Sequence, residues 1–297
     1  MAPMPDDLKL FAYFDLNNPL VAWEVAIGRV NSAPDRGPKG FPTSLRMYGL
    51  LLQYSKAGFT PELGTELRLE GLRRKEFPHR MSRIVGQFFF KSYEDAVAAL
   101  QRWPSKSRIP LRWISEVKFS ADSWSEHDSE WYTTFAESED KDDSWLREYW
   151  SGNIYGVRAL TEVIATGRGT ILNDDLRKEA YCALMRKWPK ASPLLSAASC
   201  VFTYSGMKDA GLALATLRYW ESTMFGEVFM KMEEIASPAG VEAMMKARAD
   251  GHWAPFIPHP KHPDILSSTI DLGEITFKLE DPEIIRIFGA NPTAKVL

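Results

Sequence analysis

The chain has 297 residues, of which 45% are hydrophobic and 25% charged, with a formal net charge of −3 at pH 7. These averages exclude disordered and fibrous classes, and the length holds one large domain or two ordinary ones, of which two is the expectation. No run approaches the ~18 uncharged apolar residues of a membrane span, and the start, MAPMPDDLKLF, lacks a basic stretch followed by an apolar one, so a cytoplasmic protein is expected.

In chain order, LKLFAYFDL alternates and reads as a strand, and NNPLVAWEVAIGRVNSAP begins as an apolar helix that dissolves into a Pro/Gly loop before Pro42. SLRMYGLLLQYSKAG has helical spacing and stops at Gly58, and PELGTELRLEGLRRKEFP gives a second, more charged helix ended by Pro78. IVGQFFF is a strand with Phe88, Phe89 and Phe90 as core on both faces. Ser92 then caps the helix SYEDAVAALQRW, whose first turn carries Glu94 and Asp95.

LRWISEVKFS is the next strand, and the acidic run from Ala121 to Asp143 reads as a loop. A short helix around Trp145–Trp150, a turn at Gly152 and a strand ending VIATGRGTIL follow, with Glu162 just before or on that strand. From Asn173 onward DDLRKEAYCALMRKW, SAASCVFTYSG, MKDAGLALATLRYWESTMFGEVFMKMEEIA and PAGVEAMMKARADG read as mainly helical. The Pro-rich loop HWAPFIPHPKHP and a closing strand GEITFKL complete the chain. The expected domains are residues 1–172, with mixed strands and helices, and residues 173–297, mostly helical.

Charge is uneven. Asp122 to Glu148 holds ten carboxylates against Lys141 and Arg147, whereas residues 68–83 hold six Lys/Arg against two Glu. The basic stretch reads either as the solvent face of a helix or as a nucleic-acid footprint. Cys182 and Cys200 stand in no C-x-x-C pair, so structural zinc is not expected. His259-Pro-Lys-His262 lacks helical register for a metal, GRGT at 167–170 is too short for a phosphate loop, and no Ser or Cys has a His-acid partner in view.

Several short motifs group together: Glu70, Arg73 or Arg74, Phe77-Pro78, Ser82-Arg83, an aromatic strand, Ser92-x-Glu94-x-Ala96, Tyr149-Trp150-x-Gly152 and Glu162-x4-Gly167. Over about residues 65–172 this pattern resembles an uncharacterised bacterial family, which in turn looks like a divergent branch of the ADP-ribosyltransferase superfamily. The resemblance implies an α+β fold with a split sheet and NAD as co-substrate. It also implies transfer of ADP-ribose to a nucleic-acid or protein acceptor, as in toxins, defence effectors and host-modifying proteins, with a regulatory or antitoxin partner.

In that reading Glu162 is catalytic, because a carboxylate facing an oxocarbenium-like state lowers its energy. Arg80 and Arg83 would grip a pyrophosphate, Ser82 or Ser92 would hold a ribose, and Tyr149 or Trp150 would stack on a ring. Many relatives carry a His or Arg on the first strand, where this chain has Tyr13 and Asp15. A non-catalytic nucleotide, nucleic-acid or protein binding module is the alternative from the same residues, and each candidate also has an ordinary packing or solvent-facing role.

Overall fold

A computed structural model describes residues 8–32, 40–102, 109–136, 143–251 and 269–289. The fold is α+β with two antiparallel sheets. In the first half the elements are β1 (Leu8–Tyr13), α1 (Pro19–Ile27), β2 (Arg29–Asn31), β3 (Phe41–Pro42), α2 (Leu45–Ala57), α3 (Pro61–Glu76), β4 (Gln87–Phe90) and α4 (Tyr93–Arg102). Then come β5 (Ile114–Asp128), α5 (Ser129–Phe135), α6 (Ser144–Ser151), β6 (Thr161–Ile171), α7 (Asp174–Lys187) and α8 (Ser192–Ser205). The chain continues through β7 (Leu212–Trp220), β8 (Thr223–Lys231), α9 (Pro238–Ala249), β9 (Phe277–Leu279) and α10 (Pro282–Gly289).

The larger sheet runs β2-β6-β4-β1-β5, and β5 also pairs with β6, so β1, β4, β6 and β5 close on one another. β5 achieves this by its length: residues 114–119 pair with β1 while residues 117–128 pair with β6. A register shift between Ala121 and Ser123 bends it. Gly167 sits opposite that bend with φ +144°, and a Cβ there would lie 2.1 Å from Ser120 O, so only glycine fits the last position of the Glu162-x4-Gly167 motif.

The acidic run expected as a loop from Ala121 is instead strand through Asp128 and then helix α5. Ser125 and His127 are buried on β5 while Trp124 and Glu126 beside them are half-buried, an alternation that charge counting conceals. The hydrophobic faces separate as the pleat dictates: Phe89 packs with Phe119 in the main core, and Phe90 joins Ile114 and Leu160 under Ala96, Ala99 and Leu100 of α4.

The second sheet, β3-β7-β8-β9, corrects another expectation, since residues 212–231 form a hairpin where a helix was expected. Its two-residue turn, Glu221-Ser222, carries φ +52° at Glu221 and lacks the Asn-Gly type signal that marks such turns. Gly226 faces Phe277 of β9 so closely that a Cβ would stand 2.2 Å from the ring. The helices α7, α8 and α9 lie where expected, and Asn173 caps α7 through Leu176 N.

Residue 172 falls between β6 and α7, and many connections cross that point, of which two show the pattern. β3 pairs with β7, and Trp23 Nε1 of α1 donates to Gly211 O at 2.8 Å. The His259-Pro-Lys-His262 segment lies outside the described residues, and among those described no helix is long and apolar enough to cross a membrane.

Candidate functional site

Helix α3 presents Glu62, Glu66 and Glu70 four residues apart, hence on one face. Each meets a cation. Glu62 pairs with Arg46 of α2 at 2.7 Å. Glu70 takes Arg73 through both oxygens at 2.9 Å, Arg74 at 2.8 Å and the Ser82 hydroxyl at 2.8 Å. Glu66, fully buried, accepts the Nε and Nη2 fork of Arg83 at 2.9 and 3.0 Å. Arg46 Nη1 stands 2.9 Å from Glu66 as an ion-pair contact without hydrogen-bond alignment.

Burial pushes the Glu66 carboxyl up, but Arg83 and Arg46 together outweigh it and bring it down to about 2. Arg83 then reaches across with Nη1 to Tyr149 Oη at 2.6 Å and to Glu162 Oε1 at 2.7 Å. Tyr149 donates its own hydroxyl to the same Oε1 at 2.6 Å. The guanidinium also lies over the rings of Phe88, Tyr132 and Tyr149, 4.4 to 5.3 Å from their centroids.

Glu162 lies within β6, opposite Phe90 of β4 and His127 of β5. The chain entering β6 is pinned by Asp128, which accepts from Leu160 N at 3.0 Å and Tyr155 N at 2.8 Å while capping α5 through Glu130 N. Glu162 is 6% exposed. Its Oε1 carries both hydrogen bonds, whereas Oε2 accepts none among the described residues, and the side chain as a whole keeps 8% exposure. The carboxylate is therefore oriented through one oxygen and free at the other.

Behind it, His127 stacks on Tyr149 at 4.6 Å, and its Nδ1 lies 3.0 Å from the Tyr149 carbonyl, a pure acceptor, so Nδ1 carries the proton. Nε2 then accepts from Ser125 Oγ at 2.8 Å, and that oxygen accepts from Met81 N at 3.1 Å. Burial, with Arg80 and Arg83 nearby, lowers the imidazole to about 3. This Ser-His pair is a brace for Tyr149 and has no acidic third member among its hydrogen-bond partners.

In front of the cluster lies a cleft of about 480 Å³ between β1, the turn after it, the start of α1, and α2, with Tyr13, Arg46, Phe88 and Phe89 in its walls. Burial raises the Tyr13 phenol, with the charges of Arg46, Glu162 and Arg83 also acting on it. Arg46 and Phe88 belong to both the cluster and the cleft wall, whereas Glu162, Arg83 and Tyr149 are not among the residues that line the cleft.

Of the residues singled out in the sequence, Arg83, Tyr149 and Glu162 thus converge, and Ser82 joins through Glu70. Ser92 caps α4, accepting from Asp95 N at 3.0 Å. Trp150 is buried, donating to Leu69 O at 3.0 Å, and Arg80 donates to Ser151 O at 3.0 Å. Arg46, Glu66, Tyr132 and His127 escaped sequence reasoning. The four-residue spacing of Glu62, Glu66 and Glu70 was the signal available for Glu66, and His127 was hidden in the run taken for a loop. Among the described residues no group of three or more His, Cys, Asp or Glu is placed to hold a metal. No protein-family model matches this chain, and no curated protein matches it.

Proposed function

We propose that the protein is an ADP-ribosyltransferase-like enzyme that takes NAD in the cleft and transfers ADP-ribose to a nucleic-acid or protein acceptor, with Glu162 as the catalytic carboxylate. The observation that carries this reading is the state of Glu162: Oε1 fixed by Arg83 and Tyr149, Oε2 without a hydrogen-bond partner among the described residues. A carboxylate held this way accepts a ribose hydroxyl without reorganising and sets its charge against the positive charge that develops as the bond to nicotinamide breaks. The closed antiparallel sheet is our candidate for the superfamily's split sheet.

The geometry redistributes the roles. Arg83 has its fork filled by Glu66 and acts as a positioning residue, while Arg46, 26% exposed at the cleft wall, is the cation a phosphate would meet. Residues 173–297 would select the acceptor or hold a regulatory or antitoxin partner, in keeping with a toxin, defence or host-modifying role inside the cell.

One observation favours a second reading, a binding module without catalysis: Glu162, Arg83 and Tyr149 are not among the residues that line the cleft. The test is incubation with NAD labelled at the adenine phosphate and a cell lysate, with Glu162→Gln in parallel. Label in protease- or nuclease-sensitive material that disappears in the variant is expected. No label, no free ADP-ribose and no calorimetric NAD binding would leave the binding module.

A further inference from the structure

A second concavity, a groove of about 850 Å³, runs along α3 between α6 and α10, on elements other than those that frame the cleft. Arg68, Arg74, Lys75, Arg147 and Arg286 line it, against Asp143 and Glu283 as the carboxylates, although the whole chain carries net negative charge. Lys75 and Arg147 are the accessible cations, their side chains 79% and 56% exposed, whereas Arg74 is held by the buried Glu70 and by Ile287 O. Arg286 has no ion pair among the described residues. The Arg68–Asp143 and Arg147–Glu76 pairs lie at the surface, where water screens them and a phosphate can exchange with the carboxylate.

The groove has an aromatic wall as well as charge. Phe59, 62% exposed, lies against α3 at Gly64, where a Cβ would come within 2.7 Å of its ring. Next along the same face, a Cβ at Gly71 would meet nothing within 4 Å, so the floor is open there. Leu72, Leu146 and Ile287 supply apolar lining between the charges.

We infer that this groove binds single-stranded nucleic acid, the cations tracking the phosphates and Phe59 receiving a base. Charge with an exposed ring fits a strand whose bases are unstacked, whereas a duplex keeps its bases stacked and out of reach of Phe59. The inference stands on the groove and reads binding, not turnover, so it holds or fails separately from the role of Glu162. Where both hold, the acceptor is a nucleic acid or a protein carried on one.

The test is fluorescence anisotropy of the full chain with labelled single-stranded DNA and RNA of about 15 nucleotides, across about 50 to 200 mM salt. A duplex of the same length and polyglutamate serve as competitors. Single strands are expected to bind and to resist both competitors. The combined variant Lys75→Ala, Arg147→Ala, Arg286→Ala should weaken binding at least about tenfold and reduce the log–log salt slope by roughly 2. Phe59→Ala should weaken it about fivefold or more with an unchanged slope, and circular dichroism checks that each variant is folded. No binding at the lowest salt, parental affinity in both variants, or equal competition by polyglutamate, which would indicate an acidic protein partner, overturns the proposal. If the combined variant does not fold, Phe59→Ala decides alone.

Discussion

Two buried Arg–Glu pairs in this molecule use the same bidentate chemistry to different ends. In the first, Arg29 is fully buried, takes Glu24 through Nε and Nη2 at 2.5 and 3.1 Å, and donates Nη1 to Ala210 O at 2.6 Å. Glu24 Oε1 also accepts from Ala213 N at 2.8 Å. Every hydrogen bond of that pair outside α1 and β2 goes to the backbone of residues 208–213, at and just before the start of β7, and the guanidinium lies 5.9 Å from the Phe202 ring of α8, so the pair joins the two sheets and its donors and acceptors are filled by fixed groups.

The second pair, Arg83–Glu66, hands its Nη1 donors to side chains, Tyr149 and Glu162, and ends at a carboxylate oxygen with no partner among the described residues. Glu24 and Arg29 line the cleft yet have closed hydrogen bonding, which indicates a joint; the second pair ends at a carboxylate oxygen without a partner, which indicates a site.

The sharpest test removes one carboxylate from each. Glu24→Gln leaves Arg29 charged, buried and without another acid, and should cost about 3 to 5 kcal/mol in urea unfolding. Glu162→Gln leaves Arg83 still clamped by Glu66 and should cost on the order of 1 kcal/mol. Equal losses in the two variants would break the comparison, because Glu162 would then be as structural as Glu24.

Acid should strain the second cluster through its brace. The unfolded chain takes up a proton on His127 below the ordinary imidazole value of about 6.5, whereas the folded imidazole, lowered to about 3, refuses it. Stability present above pH 6.5 is therefore lost as pH falls toward 3, by about 1.4 kcal/mol per pH unit in that window. Between pH 6.5 and 5 this amounts to about 2 kcal/mol, and urea midpoints of the parent and His127→Gln should lose that difference in slope. Glu66, lowered to about 2, adds a loss in the same direction below about pH 4.5. A parent curve as flat as the variant's between pH 7 and 5 would mean that His127 is not the group responsible.

How much of this was legible in the sequence depends on the range of the interactions. Local signals worked: Asn173 and Ser92 cap their helices, Gly152 ends α6 in a left-handed conformation, and the Phe strand divides its side chains between two cores. Pairing decided the failures. Residues 122–128 are largely polar yet strand because β6 supplies the ladder, and residues 212–231 have helix-compatible leucines and methionines yet pair across a turn without an Asn-Gly type signal. The site was half visible. Arg83, Tyr149 and Glu162 could be grouped, but their 2.6 to 2.7 Å contacts span 13 to 79 residues of sequence, and Arg46 had no local feature to mark it.

An effect on stability as small as that of Glu162→Gln bears most directly on mechanism. Tyr149→Phe keeps the ring that stacks on His127 and removes only the hydroxyl, which accepts from Arg83 and donates to Glu162. Arg83 and Glu162 still hold each other at 2.7 Å, so the loss in unfolding free energy should be about 1 kcal/mol. With one of its two guides gone, Glu162 gains freedom about the Arg83 contact. Turnover of NAD should then fall about tenfold with KM nearly unchanged, as for a group that acts in the transition state and not in ground-state binding. A rise in KM at constant kcat would instead place the hydroxyl in substrate binding. Full activity in Tyr149→Phe beside an inactive Glu162→Gln would mean that Arg83 alone orients the carboxylate and that the tyrosine belongs, with Trp150, to the packing behind it.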